Sequence, residues 1–122
     1  MHKRTIMIVD DDKECLEETA EMLKDAGYEI ETHSTEQAAL QAIHESAPDI
    51  ILLDIKFADN GKKLAREIKM SGDITSIPII VISGSLDEDT MEAFIEATGV
   101  DDVLEKPVNP LDIIASLETH LK

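Results

Sequence analysis

Four short apolar runs in this sequence each deliver a polar group at their carboxyl side. Ile6-Met7-Ile8-Val9 runs into Asp10-Asp11-Asp12, Ile50-Ile51-Leu52-Leu53 into Asp54, Ile79-Ile80-Val81-Ile82 into Ser83, and the run 102–105 into Lys106. If the runs lie side by side, several carboxylates, a hydroxyl and an ammonium meet at one rim. Carboxylates a few ångströms apart repel each other, which raises pKa values and costs stability unless a cation intervenes. A hard divalent ion with oxygen ligands is the natural remedy. Magnesium suits such a set, because it takes one or two carboxylates and keeps its other positions for water and phosphate oxygens. Structural zinc, which prefers Cys and His, does not suit it.

The runs must then be strands of one sheet, and the pattern supports this. Short apolar segments at 5–9, 29–33, 49–53, 77–82 and 102–105 alternate with longer amphipathic stretches. The continuously apolar ones read as strands covered on both faces, which implies a parallel sheet between helices. Glu29-Ile30-Glu31-Thr32 alternates instead, as an edge strand does. Helices are predicted over 13–26, 36–46, 62–71 and 88–98, and after Asn109-Pro110. Their apolar stripes are Leu16, Ala20, Leu23 and Ala26; Ala39, Leu40, Ile43 and Ala47; Leu64, Ala65 and Ile68; Met91, Phe94 and Ile95; and Leu111, Ile114, Leu117 and Leu121. Gly27 is a predicted C-terminal cap, Pro48 closes the second helix, and Gly72 and Gly99 follow the third and fourth. Five strand-then-helix repeats give an α/β fold with a doubly wound, five-stranded parallel sheet. Its functional crevice lies beyond the carboxyl ends of the strands, where the polar groups are.

The 122 residues are read as one domain, 1–122, able to bury roughly two thirds of its unfolded surface without a staple. With 27 acids against 11 bases the net charge is −16, which argues against contact with nucleic acid or an anionic membrane. The single cysteine, Cys15, lies on an apolar helical stripe and is read as a core thiol. No run reaches membrane-spanning length and no signal peptide is visible, so the reading is cytoplasmic. His2, His33, His44 and His120 have no ligand-like spacing, Asp12 is read as a helix cap, and Asp87-Glu88-Asp89 as helix-start charge.

Taken together, Ile8-Val9-Asp10-Asp11, Leu52-Leu53-Asp54, Ser83 after Val81-Ile82, and Lys106-Pro107 resemble the receiver domains of response regulators, over the whole chain and with each motif on the expected strand. The resemblance implies a flavodoxin-like sheet of order 2-1-3-4-5. It implies that Asp54 accepts a phosphoryl group, that Asp11 binds magnesium directly and Asp10 through metal-bound water, and that the backbone carbonyl of Lys56 adds a ligand. Manganese could substitute for magnesium. Ser83 and Lys106 would bond phosphoryl oxygens, and the Lys106–Pro107 bond is often cis in the family. The implied phosphodonor is a histidine kinase or histidine phosphotransfer protein. The implied output is a downstream protein target docking on the fourth helix, fifth strand and fifth helix. Such a protein is not an enzyme on other substrates; it catalyses only its own phosphorylation and dephosphorylation.

Two features depart from that pattern. The loop Ile55-Lys56-Phe57-Ala58-Asp59-Asn60-Gly61 lacks the usual Met-Pro and places an ammonium beside the acceptor. Val103 stands where relatives carry the aromatic ring that turns inward on activation. Two competing readings stay open: a pseudo-receiver that binds partners independently of phosphorylation, and an aspartyl-nucleophile phosphatase of the haloacid-dehalogenase type. The latter needs a second Asp two residues after its nucleophile, where this chain has Lys56.

Overall fold

A computed structural model describes residues 4–10, 12–55, 66–68, 70, 77–84, 88–105 and 109–121. The chain alternates strand and helix: β1 (Thr5–Val9), α1 (Lys13–Asp25), β2 (Glu29–His33), α2 (Glu36–Glu45) and β3 (Ile50–Ile55). Helical residues 66–68 and 70 belong to α3. β4 (Ile79–Ser83), α4 (Glu88–Thr98), β5 (Asp102–Glu105) and α5 (Pro110–His120) follow. All strand pairs are parallel and the order is β2-β1-β3-β4-β5, so the expected architecture is the observed one.

The sheet separates two cores, and alternation along each strand decides which residue enters which. Met7, Val9, Ile51, Leu53, Ile79 and Val81 face one side and pack with Ala39 and Ile43 of α2, Ile68 of α3 and Phe94 of α4. Ile6, Ile8, Ile50, Leu52, Ile80 and Ile82 face the other and pack with Leu16, Ala20 and Leu23 of α1 and Ile113 and Leu117 of α5. Strands sandwiched in this way must be apolar at every position, which is why their sequences show no alternation.

Helix ends are fixed by local chemistry. Asp12 caps α1, its side chain accepting from Glu14 N at 3.1 Å while its carbonyl accepts from Leu16 N. Thr35 caps α2 by accepting from Ala38 N, and Asn109 caps α5 by accepting from Leu111 N. Gly27, at φ +101°, ends α1 with its N–H on Lys24 O and the Tyr28 N–H on Leu23 O, the paired bonds of a Schellman turn. Gly99, at φ +79°, closes α4 with a single bond to Ile95 O.

Some boundaries and stripes differ from expectation. β3 runs on to Ile55 and β4 starts at Ile79 and includes Ser83, so Asp54 and Ser83 are strand residues, not the loop residues after strands. Ala26 and Ala47 lie beyond their helices and are exposed. Leu111 is 72 % exposed, whereas Ile113 and Leu117 are buried. Six residues turn a helix through about 600°, leaving Leu111 about 120° away from Leu117 around the axis. Leu64 and Ala65 lie outside the described residues, as does the side chain of Cys15.

Candidate functional site

Three of the residues singled out by the sequence are described at the carboxyl edge of the sheet. Val9 of β1 is in register with Leu53 of β3, so Asp10 leaves β1 beside Asp54. Neighbouring strands stand about 4.8 Å apart, which sets the scale of the separation between the two backbones. Alternation turns Asp54 to the side of Leu52 and Ile82, the face covered by α1 and α5, and Asp54 is in register with Ile82.

Asp10 is only 3 % exposed. It is held from two directions: its N–H donates to His33 O at the end of β2, and its Oδ1 accepts from Asp12 N at 3.0 Å. The first of these bonds was invisible in the sequence, because it joins residues that only the β1–β2 pairing brings together. Asp54 is half-buried, and its Oδ1 is shut off from solvent. A buried carboxylate oxygen of this kind suits a cation or a donor brought by a ligand.

Ser83 is fully buried and ends β4, one register step beyond Asp54, paired with Ile55 on one side and Glu105 on the other. The same alternation turns it to the face of Ile79 and Val81, the side of α2 and α4. Ser83 therefore shares the edge with Asp54 but points to the opposite face of the sheet. Val103 is half-buried, packs against that same α2–α4 core and is in register with Val81. Asp11, Lys56, Lys106 and Pro107 lie outside the described residues; Glu105, which precedes Lys106, ends β5.

Among the described residues no cluster of three or more His, Cys, Asp or Glu side chains could hold a metal ion by itself. The described donors are two carboxylates, Asp10 and Asp54, all oxygen and strand-anchored. That set fits magnesium, which needs only one or two carboxylates. His33 instead pairs with Glu31 at 3.1 Å, and His120 stands 3.8 Å from Asp102, so neither is directed at this edge. Among the described residues no helix is long and apolar enough to cross a membrane.

The arrangement can be set beside known proteins. Residues 6–118 match the family described as response regulator receiver domain. The phosphate regulon transcriptional regulatory protein PhoB of Pseudomonas aeruginosa is 37 % identical over 121 residues, covering 98 % of this chain and 52 % of that protein. The transcriptional regulatory protein GltR of the same organism is 32 % identical over 120 residues, covering 98 % and 49 %. This chain thus spans about half the length of these curated relatives. Among solved structures, a putative response regulator from Chloroflexus aurantiacus superposes with a TM-score of 0.89 at 28 % identity, covering 98 % of both chains. A CheY-like receiver domain protein from Methanospirillum hungatei gives 0.87 at 29 % identity, covering 98 % of this chain and 94 % of that one. Fold, edge and family match agree: this chain belongs to the response regulator receiver domain family.

Proposed function

We propose that this receiver domain takes a phosphoryl group onto Asp54 from a phosphohistidine of a histidine kinase or phosphotransfer protein, and that the modified edge changes which protein it binds. The observation that carries this reading is the placement of a half-buried Asp54 beside a buried, doubly anchored Asp10 at the carboxyl edge of a parallel sheet. An Asp54 carboxylate oxygen attacks phosphorus, the P–N bond to the donor imidazole breaks, and the freed ring nitrogen takes a proton from water. Attack of water on the aspartyl phosphate later returns the carboxylate and releases inorganic phosphate.

A bound magnesium ion, held by Asp10, Asp11, Asp54 and the Lys56 carbonyl, would neutralise charge on the transferring oxygens. The chain's own residues do the positioning. Asp10 is kept from swinging away by the His33 carbonyl and the Asp12 N–H. Lys106 would supply a cation for the phosphoryl group, so the protein's contribution is orientation and electrostatics.

Switching follows from Ser83. Its side chain faces away from Asp54, so bonding to a phosphoryl oxygen requires the end of β4 to turn. That motion would be carried to α4, since Ser83 and α4 are joined by residues 84–87. Hydrogen bonds to charged groups are worth about 1.5–3 kcal/mol each. Two of them, from Ser83 and Lys106, approach the ~5.5 kcal/mol that turns a 1:99 population into 99:1. Val103 packs where the family's ring would report the change, so the output is carried by β4 and α4 toward the face formed with β5 and α5. The acidic charge of the domain leaves any contact with DNA to other parts of such regulators.

The test is incubation with magnesium and acetyl phosphate, read by intact mass. The native chain should gain about 80 Da and Asp54→Ala none. A gain that persists in the variant removes Asp54 as acceptor. No gain in the native chain favours the phosphorylation-independent binding module.

A further inference from the structure

Among the described strands β2 pairs only with β1, at the end of the order β2-β1-β3-β4-β5. The Glu29 N–H donates to Arg4 O and the His33 carbonyl accepts from the Asp10 N–H, so residues 29, 31 and 33 turn their main-chain groups toward β1. The residues between them turn theirs the other way. The N–H and C=O of Ile30 and of Thr32 therefore face the open side of the sheet, where they form a template for a further strand.

The two faces beside that edge differ in chemistry. Ile30 packs into the α1–α5 core, and on the same side Thr32 and Ser34 border a groove of about 520 Å³ together with Leu16, Glu17, Ala20 and Glu21 of α1. The floor of this groove is apolar, since Leu16 and Ala20 are buried. Alternation puts Glu29, Glu31 and His33 on the other side of the strand, that of α2. Glu29 is exposed, and Glu31 holds the His33 ring at 3.1 Å. Along its open edge β2 thus offers carboxylates on one face and an apolar trough on the other.

We propose that the open edge of β2 receives an extended segment of a partner protein, added to the sheet as a sixth strand, in which basic side chains alternate with small apolar ones. Opposite charges facing each other across neighbouring strands attract, so Glu29 and Glu31 select Lys or Arg on the α2 side of the added strand. The residues between them point to the α1 side, where the trough takes apolar groups. The same charges exclude a second copy of this chain as the occupant. Its β2 would set Glu29 and Glu31 against an identical acidic row, with −16 on each chain. Main-chain hydrogen bonds to Ile30 and Thr32 supply affinity, and the alternating side chains choose the partner. β2 is 5 residues long, so the contact is small and reversible. The side chains of Asp54 and Ser83 take no part, and the contact stands apart from the proposed phosphorylation.

The probe is a short synthetic peptide of alternating Lys and Val, blocked at both ends and titrated into the isotope-labelled chain without phosphodonor. Amide hydrogen exchange at Ile30 and Thr32 should slow about tenfold when the peptide is at about ten times its Kd. The same peptide with every amide N-methylated keeps its charge, cannot donate to the edge, and should bind at least about tenfold more weakly. Thr32→Pro deletes an outward N–H and leaves the bonds to β1 whole, a change that edge strands tolerate. It should keep the native circular dichroism and weaken binding at least about fivefold. Glu29→Lys should weaken binding about threefold or more, whereas Glu96→Lys, the same charge change at an exposed position of α4, should cost less than about twofold. Unslowed exchange at Ile30 and Thr32 in saturating peptide, undiminished binding of the N-methylated peptide, or equal losses in the two Lys variants would each overturn the proposal. So would slowing of the same two amides with rising protein concentration and no peptide, which would make a second copy the occupant.

Discussion

Replacing Asp54 by Asn removes one of two neighbouring negative charges while keeping the side chain's shape, and the domain should become more stable for it. Asp10 follows β1 beside Asp54 of the neighbouring parallel strand β3, and the spacing of such strands sets a separation on the order of 5 Å for the two groups. At that separation two unit charges repel by about 3 kcal/mol with an effective dielectric of 20 and by about 0.8 kcal/mol in bulk water. Asp10 is buried and Asp54 half-buried, so the repulsion lies between these limits, at about 1–2 kcal/mol. For a chain of this length that corresponds to a rise in Tm of about 3–8 °C. The assay is thermal unfolding followed by circular dichroism, in EDTA and again in magnesium chloride. In EDTA, Asp54→Asn should melt higher than the native chain. On the proposed magnesium binding, the ion should raise the native Tm and narrow the gap, because it would relieve the same repulsion and the variant would lack one of its proposed ligands. A variant that melts at or below the native temperature in EDTA would refute the argument, as it would mean that the two carboxylates do not feel each other.

Other perturbations follow from single contacts. Asp12→Ala removes the cap of α1 and should cost about 0.5–2 kcal/mol in urea unfolding, whereas Asp12→Asn should retain most of that stability. Gly27→Ala meets no atom within 4 Å, so its cost is the left-handed backbone alone, about 1–2 kcal/mol by the same measurement. Asp102→Ala strips the acceptor from the buried Ser116 hydroxyl, bonded at 2.7 Å, and should cost about 1–3 kcal/mol; adding Ser116→Ala should recover part of the loss. On the proposed phosphorylation of Asp54, Lys56→Asn, which removes a cation two residues further along the chain, should change the lifetime of the aspartyl phosphate, timed by mass after the phosphodonor is removed; an unchanged half-life would eliminate any role for that charge.

The strands, the two-sided cover of the sheet and the polar residues at its rim were legible in the sequence because each is a local pattern. Continuously apolar runs such as Ile50-Ile51-Leu52-Leu53 admit one environment, a strand buried on both faces, and Gly27 and Gly99 mark helix ends through a backbone conformation that side chains resist. Asp10, Asp54 and Ser83 could be assigned to a common edge by the same logic, since parallel strands end together. What the sequence could not decide was anything set by register or by rotation about an axis. That Asp54 faces the α1–α5 side and Ser83 the α2–α4 side depends on β3 running to Ile55 and on which residues pair across it. The exposure of Leu111 depends on where α5 lies against the sheet. The His33 carbonyl that holds Asp10, and the groove that sets Glu17 and Glu21 opposite Thr32, join segments far apart in the chain. Local propensity fixes elements because it acts over a few residues; the meeting of side chains across elements is a property of packing, and only the folded arrangement contains it.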